Sequence, residues 1–200
     1  MALVGGGPWR FSSSRKQLEV QGPRASFFTM GEAKAQVLLF SFLPTKPGVQ
    51  TSTCRSISKN TGRAAAAAVA RDGTGAFQGA SVLVIQGITD PESMEAIACR
   101  EGLVLASDLT FRKVRIASDN ISVVKSIRGD DDKGIYGHVI QEIKARARSF
   151  VSSEFVHEGR ACNADAHKLA RSSIYCELGR QVWFLSPPVG ICASVSINIQ

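Results

Sequence analysis

The stretch RIASDNISVVKSI, residues 115–127, changes its pattern within three residues, and this constrains the fold more than any other feature of the chain. A β-like run, Val114-Arg115-Ile116-Ala117, stops at Ser118-Asp119-Asn120, and an apolar-periodic segment begins at once. A strand feeding directly into a helix is the building unit of α/β sheets. The junction has two readings. Ser118, Asp119 or Asn120 caps the helix, its side-chain oxygen accepting an orphan backbone N–H. Alternatively, Asp119 is a carboxylate set at the carboxyl end of a strand, where open α/β sheets bind ligands.

The flanking sequence extends the alternation. Residues 1–47 have scattered Gly and Pro and no sustained period, and read as a poorly ordered leader or a mispredicted start. From about residue 48 the character changes. GRAAAAAVARDGTGAF, residues 62–77, places a DGTG turn between two apolar runs, a hairpin signal. The alanines favour a helix by propensity, but the short run and the turn after it favour a strand. ASVLVIQG, residues 80–87, is a further β-rich run. DPESMEAIACREGLVLASDL, residues 90–109, predicts a helix with Asp90 as cap, Pro91 at its first position and Glu92 in its first turn. Its apolar face holds Ala96, Ala98, Cys99, Leu103, Leu105 and Ala106.

KVRIAS is then a strand and NISVVKSI a short helix; GDDDKG, residues 129–134, is a polar loop whose Asp130, Asp131 and Asp132 read as a solvated charge run. HVIQEIKARARSF is an amphipathic helix, VSSEFVHEG a strand and NADAHKLARSSI a helix. The order β-β-β-α-β-α-α-β-α predicts a mixed sheet with helices on its faces. The expected organisation is a leader over 1–47, a domain over 48–190 and a tail over 191–200.

The net charge of +7 is concentrated at the start. Residues 1–50 hold six Lys/Arg against Glu19 and Glu32, which is +4 and leaves +3 for the rest. Basicity favours phosphate binding without establishing it. Five widely spaced cysteines with no CxxC indicate neither a zinc site nor a disulfide framework. Reduced, mostly buried thiols and an intracellular location, nucleus or cytoplasm, are expected. No apolar run reaches the length of a membrane span, and the Arg- and Ser-containing start gives only a faint organelle-targeting signal.

Three separate segments carry chemistry. Glu95 lies in the first turns of a helix, Asp119 ends the next strand, and HEGRACNADAHKLA brings His157, Asn163, Asp165 and His167 to the last helix. Carboxylates converging at one end of a sheet suit a hard divalent cation, and two such ions can clamp a phosphodiester. AVARDGTGAF, MEAIACREGLVLA, VRIASDN and FVHEGRACNADAHKLAR, in that order, resemble the ribonuclease H-like domain, in the plant version common in retroelement-derived proteins. GRQVWFLSPP resembles the ending of that version. The resemblance covers residues 48–190. It implies an α/β fold with a five-stranded mixed sheet, the first three strands antiparallel, flanked by helices.

The resemblance also implies a function: endonucleolytic hydrolysis of the RNA strand of an RNA–DNA hybrid with Mg²⁺ or Mn²⁺. Glu95 and Asp119 match two of the family's four metal-binding carboxylates, and His157, ten residues before His167, matches its mobile histidine. Two positions depart. The strand that usually reads Lys-x-Asn-x-Asp-Gly holds Cys54 at the aspartate. The last aspartate, four residues after Asn163, is His167; Asp165 is about 200° round a helix from that place. A thiol is a poor ligand for a hard cation, and imidazole suits Zn²⁺ or Mn²⁺ better than Mg²⁺. Weak metal binding is therefore expected.

An upstream frameshift within residues 1–55 would account for Cys54 in another way. The implied partner is an RNA–DNA hybrid or RNA, read mainly through backbone shape and 2′-hydroxyls, with Arg63, Arg71, Arg160 and Asn163 as candidate contacts and the protein acting as a monomer. The alternative function is a catalytically silent nucleic-acid-binding or protein-interaction module. A third reading is a retroelement remnant that folds poorly.

Overall fold

A computed structural model describes residues 48–129 and 134–194. The leader and the Asp130–Asp132 run lie outside the described residues. β1 (Val49–Ser58), β2 (Arg63–Asp72) and β3 (Phe77–Gln86) form an antiparallel meander. Helix α1 (Pro91–Asp108) leads into β4 (Lys113–Ser118), which lies parallel to β1. Then come α2 (Ile121–Arg128), α3 (Gly137–Ala147), β5 (Ser152–His157) parallel to β4, α4 (Ala164–Ser173) and β6 (Gly179–Phe184). The sheet order is β5-β4-β1-β2-β3-β6.

Local chemistry explains most of these boundaries. In the β2–β3 turn, Asp72 Oδ1 accepts from the Thr74 hydroxyl and from the amides of Thr74 and Ala76. The Thr74 hydroxyl, above the other bonds, holds this carboxyl below its usual range. Asp90 caps α1 by accepting from Ser93 N at 2.7 Å, with Pro91 next to it. At the strand–helix junction the cap is Asn120, whose Oδ1 accepts from Val123 N at 3.1 Å. Asp119 is left free of that duty.

Both faces of the sheet are covered. Ala64, Ala66, Ala68 and Ala70 of β2 pack in the core that holds Met94, Leu103 and Leu105 of α1. Ala65, Ala67 and Val69 pack in a second core with Ala166, Leu169 and Ala170 of α4. The alanine run is thus a strand whose small side chains suit close approach on both sides. Gly102 of α1 is equally close-fitting: a Cβ there would lie 3.0 Å from Thr53 Cγ2 and 3.2 Å from Ile116 Cδ1.

Two expectations need correction. The sheet has six strands, not five, because GRQVWF pairs antiparallel with Gly79–Val84 of β3. Gly179, at φ +114°, takes a turn few side chains tolerate, and β6 then covers an edge that β3 would otherwise expose. Arg180 ties β6 to α1 through Glu101 at 2.5 Å and Asp108 at 2.7 Å. Second, the thiols are not mostly buried: Cys54 and Cys99 are, whereas Cys162, Cys176 and Cys192 are exposed. Arg71, a candidate nucleic-acid contact, lies inside the turn region. It is 8% exposed and donates to Gly75 O, Cys192 O and Asp165 Oδ2, the last at 2.6 Å. The β2–β3 register slips between Ala70 and Arg71, and such a bulge re-aims a side chain. Residues 191–194 pack on the domain as well: Ile191 is buried in the α4-side core, and Ala193 O accepts from Phe77 N at 2.9 Å.

Candidate active site

Sheet register assembles the site. The last β1–β4 pair is Ser52 with Ala117. Two residues beyond it on each strand stand Cys54 and Asp119. One strand further out, Ser118 pairs with His157, the last residue of β5. Thr53 fastens β1 to β4 by donating to Ala117 O at 3.0 Å.

Glu95 reaches this end from the second turn of α1 and is fully buried. Ser118 donates its hydroxyl to Glu95 Oε1 at 2.6 Å, and Arg55 Nε lies 3.5 Å from Oε2. Burial, the largest influence, raises the Glu95 pKa to about 7; Asp119 adds to the rise, while the Ser118 bond, Arg55 and Arg160 oppose it. Glu95 is thus a carboxyl that exchanges its proton near neutrality. Asp119 is held by Arg160, whose Nε donates to Oδ2 at 2.9 Å.

On the α4 side, the Cys54 thiol lies 3.4 Å from His167 Nδ1. These are the two positions where the resemblance expects aspartates, and they touch. Burial, then Glu95 and Asp119, push the Cys54 thiol up to about 12, so it stays protonated at neutral pH. A protonated thiol is a poor nucleophile, and a thiol is a poor ligand for a hard cation. Asp165 turns away, as the helical angle predicts, to pair with Arg71.

RNase H-like domains generally use divalent metals, and these residues fit such an ion poorly, with two carboxylates beside a thiol and an imidazole. Among the described residues, no group of three or more His, Cys, Asp and Glu is placed to hold a metal. Glu95 Oε2 accepts no hydrogen bond, but Arg55 Nε is equally unmatched and faces it. The two unmatched atoms lie 3.5 Å apart as an ion pair.

The other candidates are dispersed. His157 is exposed at the end of β5. Arg63 Nη1 donates to Cys176 O at 3.1 Å. Asn163 stands at the N-cap of α4 with 1% exposure, and neither its amide nitrogen nor its oxygen has a partner. Arg55 and Ser118 were not anticipated as neighbours of Glu95. Ser118 carried a signal, standing beside Asp119 at a strand end; Arg55 carried none.

The model of the family described as reverse transcriptase-like matches residues 52–173, more than half of the chain. The chain belongs to this family. Its RNase H-like fold is shared with solved structures. RNase H1 from the halophilic archaeon Halobacterium salinarum is 25% identical, with 63% of this chain and 96% of that one covered at a TM-score of 0.55. The N-terminal RNase H domain of a Mycobacterium tuberculosis protein is 20% identical over 64% of this chain and 99% of that one, at 0.54. LC11-RNase H1, solved in complex with an RNA/DNA hybrid, is 21% identical over 63% and 96%, at 0.55. No curated protein matches. The RNase H-like domain has no helix among its described residues long and apolar enough to cross a membrane.

Proposed function

We propose that this RNase H-like domain binds nucleic acid, with an RNA–DNA hybrid as its substrate class, at the end of the sheet where Glu95 and Asp119 stand. Hydrolysis of the RNA strand is impaired. The observation that carries this is the 3.4 Å contact between the Cys54 thiol and His167 Nδ1. A neutral thiol and an imidazole contribute no negative charge where the family pattern has two carboxylates, so a hard cation is held weakly. Support for the ligand class comes from LC11-RNase H1, a relative in fold whose structure holds an RNA/DNA hybrid. Arg160, 83% exposed, is available to a phosphate backbone. His157 is exposed at the same end and suited to proton transfer with a bound substrate. The domain acts as a monomer.

The test is cleavage and binding of a labelled RNA–DNA hybrid with Mg²⁺ and with Mn²⁺. The parent is expected to bind the hybrid and cleave it slowly or not at all, while Cys54→Asp combined with His167→Asp gains cleavage. Strong cleavage by the parent that vanishes in Asp119→Asn would overturn the impairment. Failure of the folded parent to bind would leave a protein-interaction module, a role that the exposed Tyr175, Leu178, Leu185 and Val189 would suit.

A further inference from the structure

The two carboxylates of the site each meet one arginine. Arg55, next to Cys54 on β1, stands 3.5 Å from Glu95. Arg160, from the segment after β5, donates to Asp119 at 2.9 Å. Asp119 is only 16% exposed, and Glu95 is buried. Each carboxyl group therefore faces a guanidinium, although Glu95, with a pKa of about 7, carries only part of a negative charge at neutral pH, so Asp119 is the full charge of the pair. An uncompensated pair of carboxylates would repel a phosphate backbone, and in a metal-loaded site the cations remove that repulsion. Here the cation site lacks two of the family's four carboxylates, while each of the two that remain already lies against an arginine.

We infer that Arg55 and Arg160 take the place of the divalent cations in charge balance, so that the acidic end of the sheet accepts a nucleic-acid backbone with no metal bound. The inference rests on the nucleic-acid-binding reading and names what makes binding possible. Arg160 is the residue on which it can be tested, because its exposed side chain leaves the core untouched when removed. Because the Arg160 side chain is largely exposed, its pair with Asp119 adds little to folding stability. Charge balance needs only proximity, and the 2.9 Å contact provides it.

Binding of a fluorescent RNA–DNA hybrid is measured in EDTA and in Mg²⁺, for the parent, Arg160→Ala, and Arg160→Ala with Asp119→Asn. Melting temperature is followed in parallel against Mg²⁺ without nucleic acid. The parent is expected to bind equally in EDTA and Mg²⁺. Arg160→Ala should lose about tenfold in EDTA, and should regain it with Mg²⁺ or when Asp119 is neutralised as well. Three results overturn the inference: a parent that needs Mg²⁺ to bind, an Arg160→Ala variant that binds as the parent does, or a loss that Asp119→Asn does not restore. The last would mean that Arg160 grips phosphate directly. If the parent binds no hybrid in either condition, the nucleic-acid reading fails by itself, and melting decides the charge balance. A Mg²⁺-dependent rise in Arg160→Ala that the parent lacks supports it, and no rise in either overturns it.

Discussion

Ser118 donates its hydroxyl to Glu95 across 2.6 Å, with neither side chain reaching solvent. The bond favours the carboxylate, and burial disfavours it more, so the folded pKa of about 7 lies above the ordinary value of 4.5. In the window between those values the native state holds a proton that the unfolded chain has lost. Stability therefore falls as pH rises through it, by on the order of 3 kcal/mol in full. Urea unfolding at pH 5, 6, 7 and 8 should show this decline, and Glu95→Gln, which still accepts from Ser118, should flatten it. A parent profile that rises over the same range would contradict the burial account.

Arg71 joins Asp165 on α4, Gly75 in the turn and Cys192 near the end of the described chain. Arg71→Ala strands a largely buried carboxylate and two carbonyls. A loss of about 3–5 kcal/mol in unfolding free energy is expected, with hybrid affinity of the remaining folded protein unchanged. A drop in affinity at undiminished stability would mean that Arg71 contacts phosphate after all.

Three thiols are exposed and two are buried, and burial pushes both Cys54 and Cys99 up to about 12. At pH 8 a colorimetric disulfide reagent should titrate three cysteines rapidly in native protein and five in denaturant. Fast modification of a fourth, mapped to Cys54, would show that the Cys54–His167 contact opens to solvent.

A Cβ on Gly102 of α1 would lie 3.0 Å from Thr53, 3.2 Å from Ile116 and 3.3 Å from Thr51, so these side chains would have to yield by a few tenths of an ångström. Gly102→Ala, favourable by helix propensity, is expected to destabilise by about 1–3 kcal/mol through overpacking. Calorimetry would show a lowered melting temperature; a raised one would mean that α1 lifts from β1 at little cost.

Most of the fold was legible because its boundaries are written in local chemistry. Asp90-Pro91, the DGTG turn and the SDN junction each decide a backbone path within a few residues. β6 was not legible as a strand. None of its six residues is fully buried and their exposure does not alternate, so no face stands out, and its place depends on the open edge of β3 nearly a hundred residues earlier. Glu95 and Asp119 were legible through motif order, and Cys54 and His167 as departures from it. That those two touch follows from α4 lying across β1, which no spacing announces. Arg55 and Arg71 were opaque for the same reason. Arg71 meets partners 94 and 121 residues away in sequence, and nothing beside it distinguishes it from a solvated arginine at a turn.

The alanines of β2 have a consequence that reaches the site. A strand with bulky side chains lets each face of a sheet absorb a change by shifting rotamers. Methyl groups have no rotamers to shift. An enlarged residue under α1 can be relieved only by moving the β2 backbone, and Ala65 and Ala67 on its other side carry α4 with them. Because α4 holds His167 against Cys54, β2 works as a rigid gauge between the layers, and substitutions that touch neither carboxylate can still set the distance at which that thiol and imidazole meet.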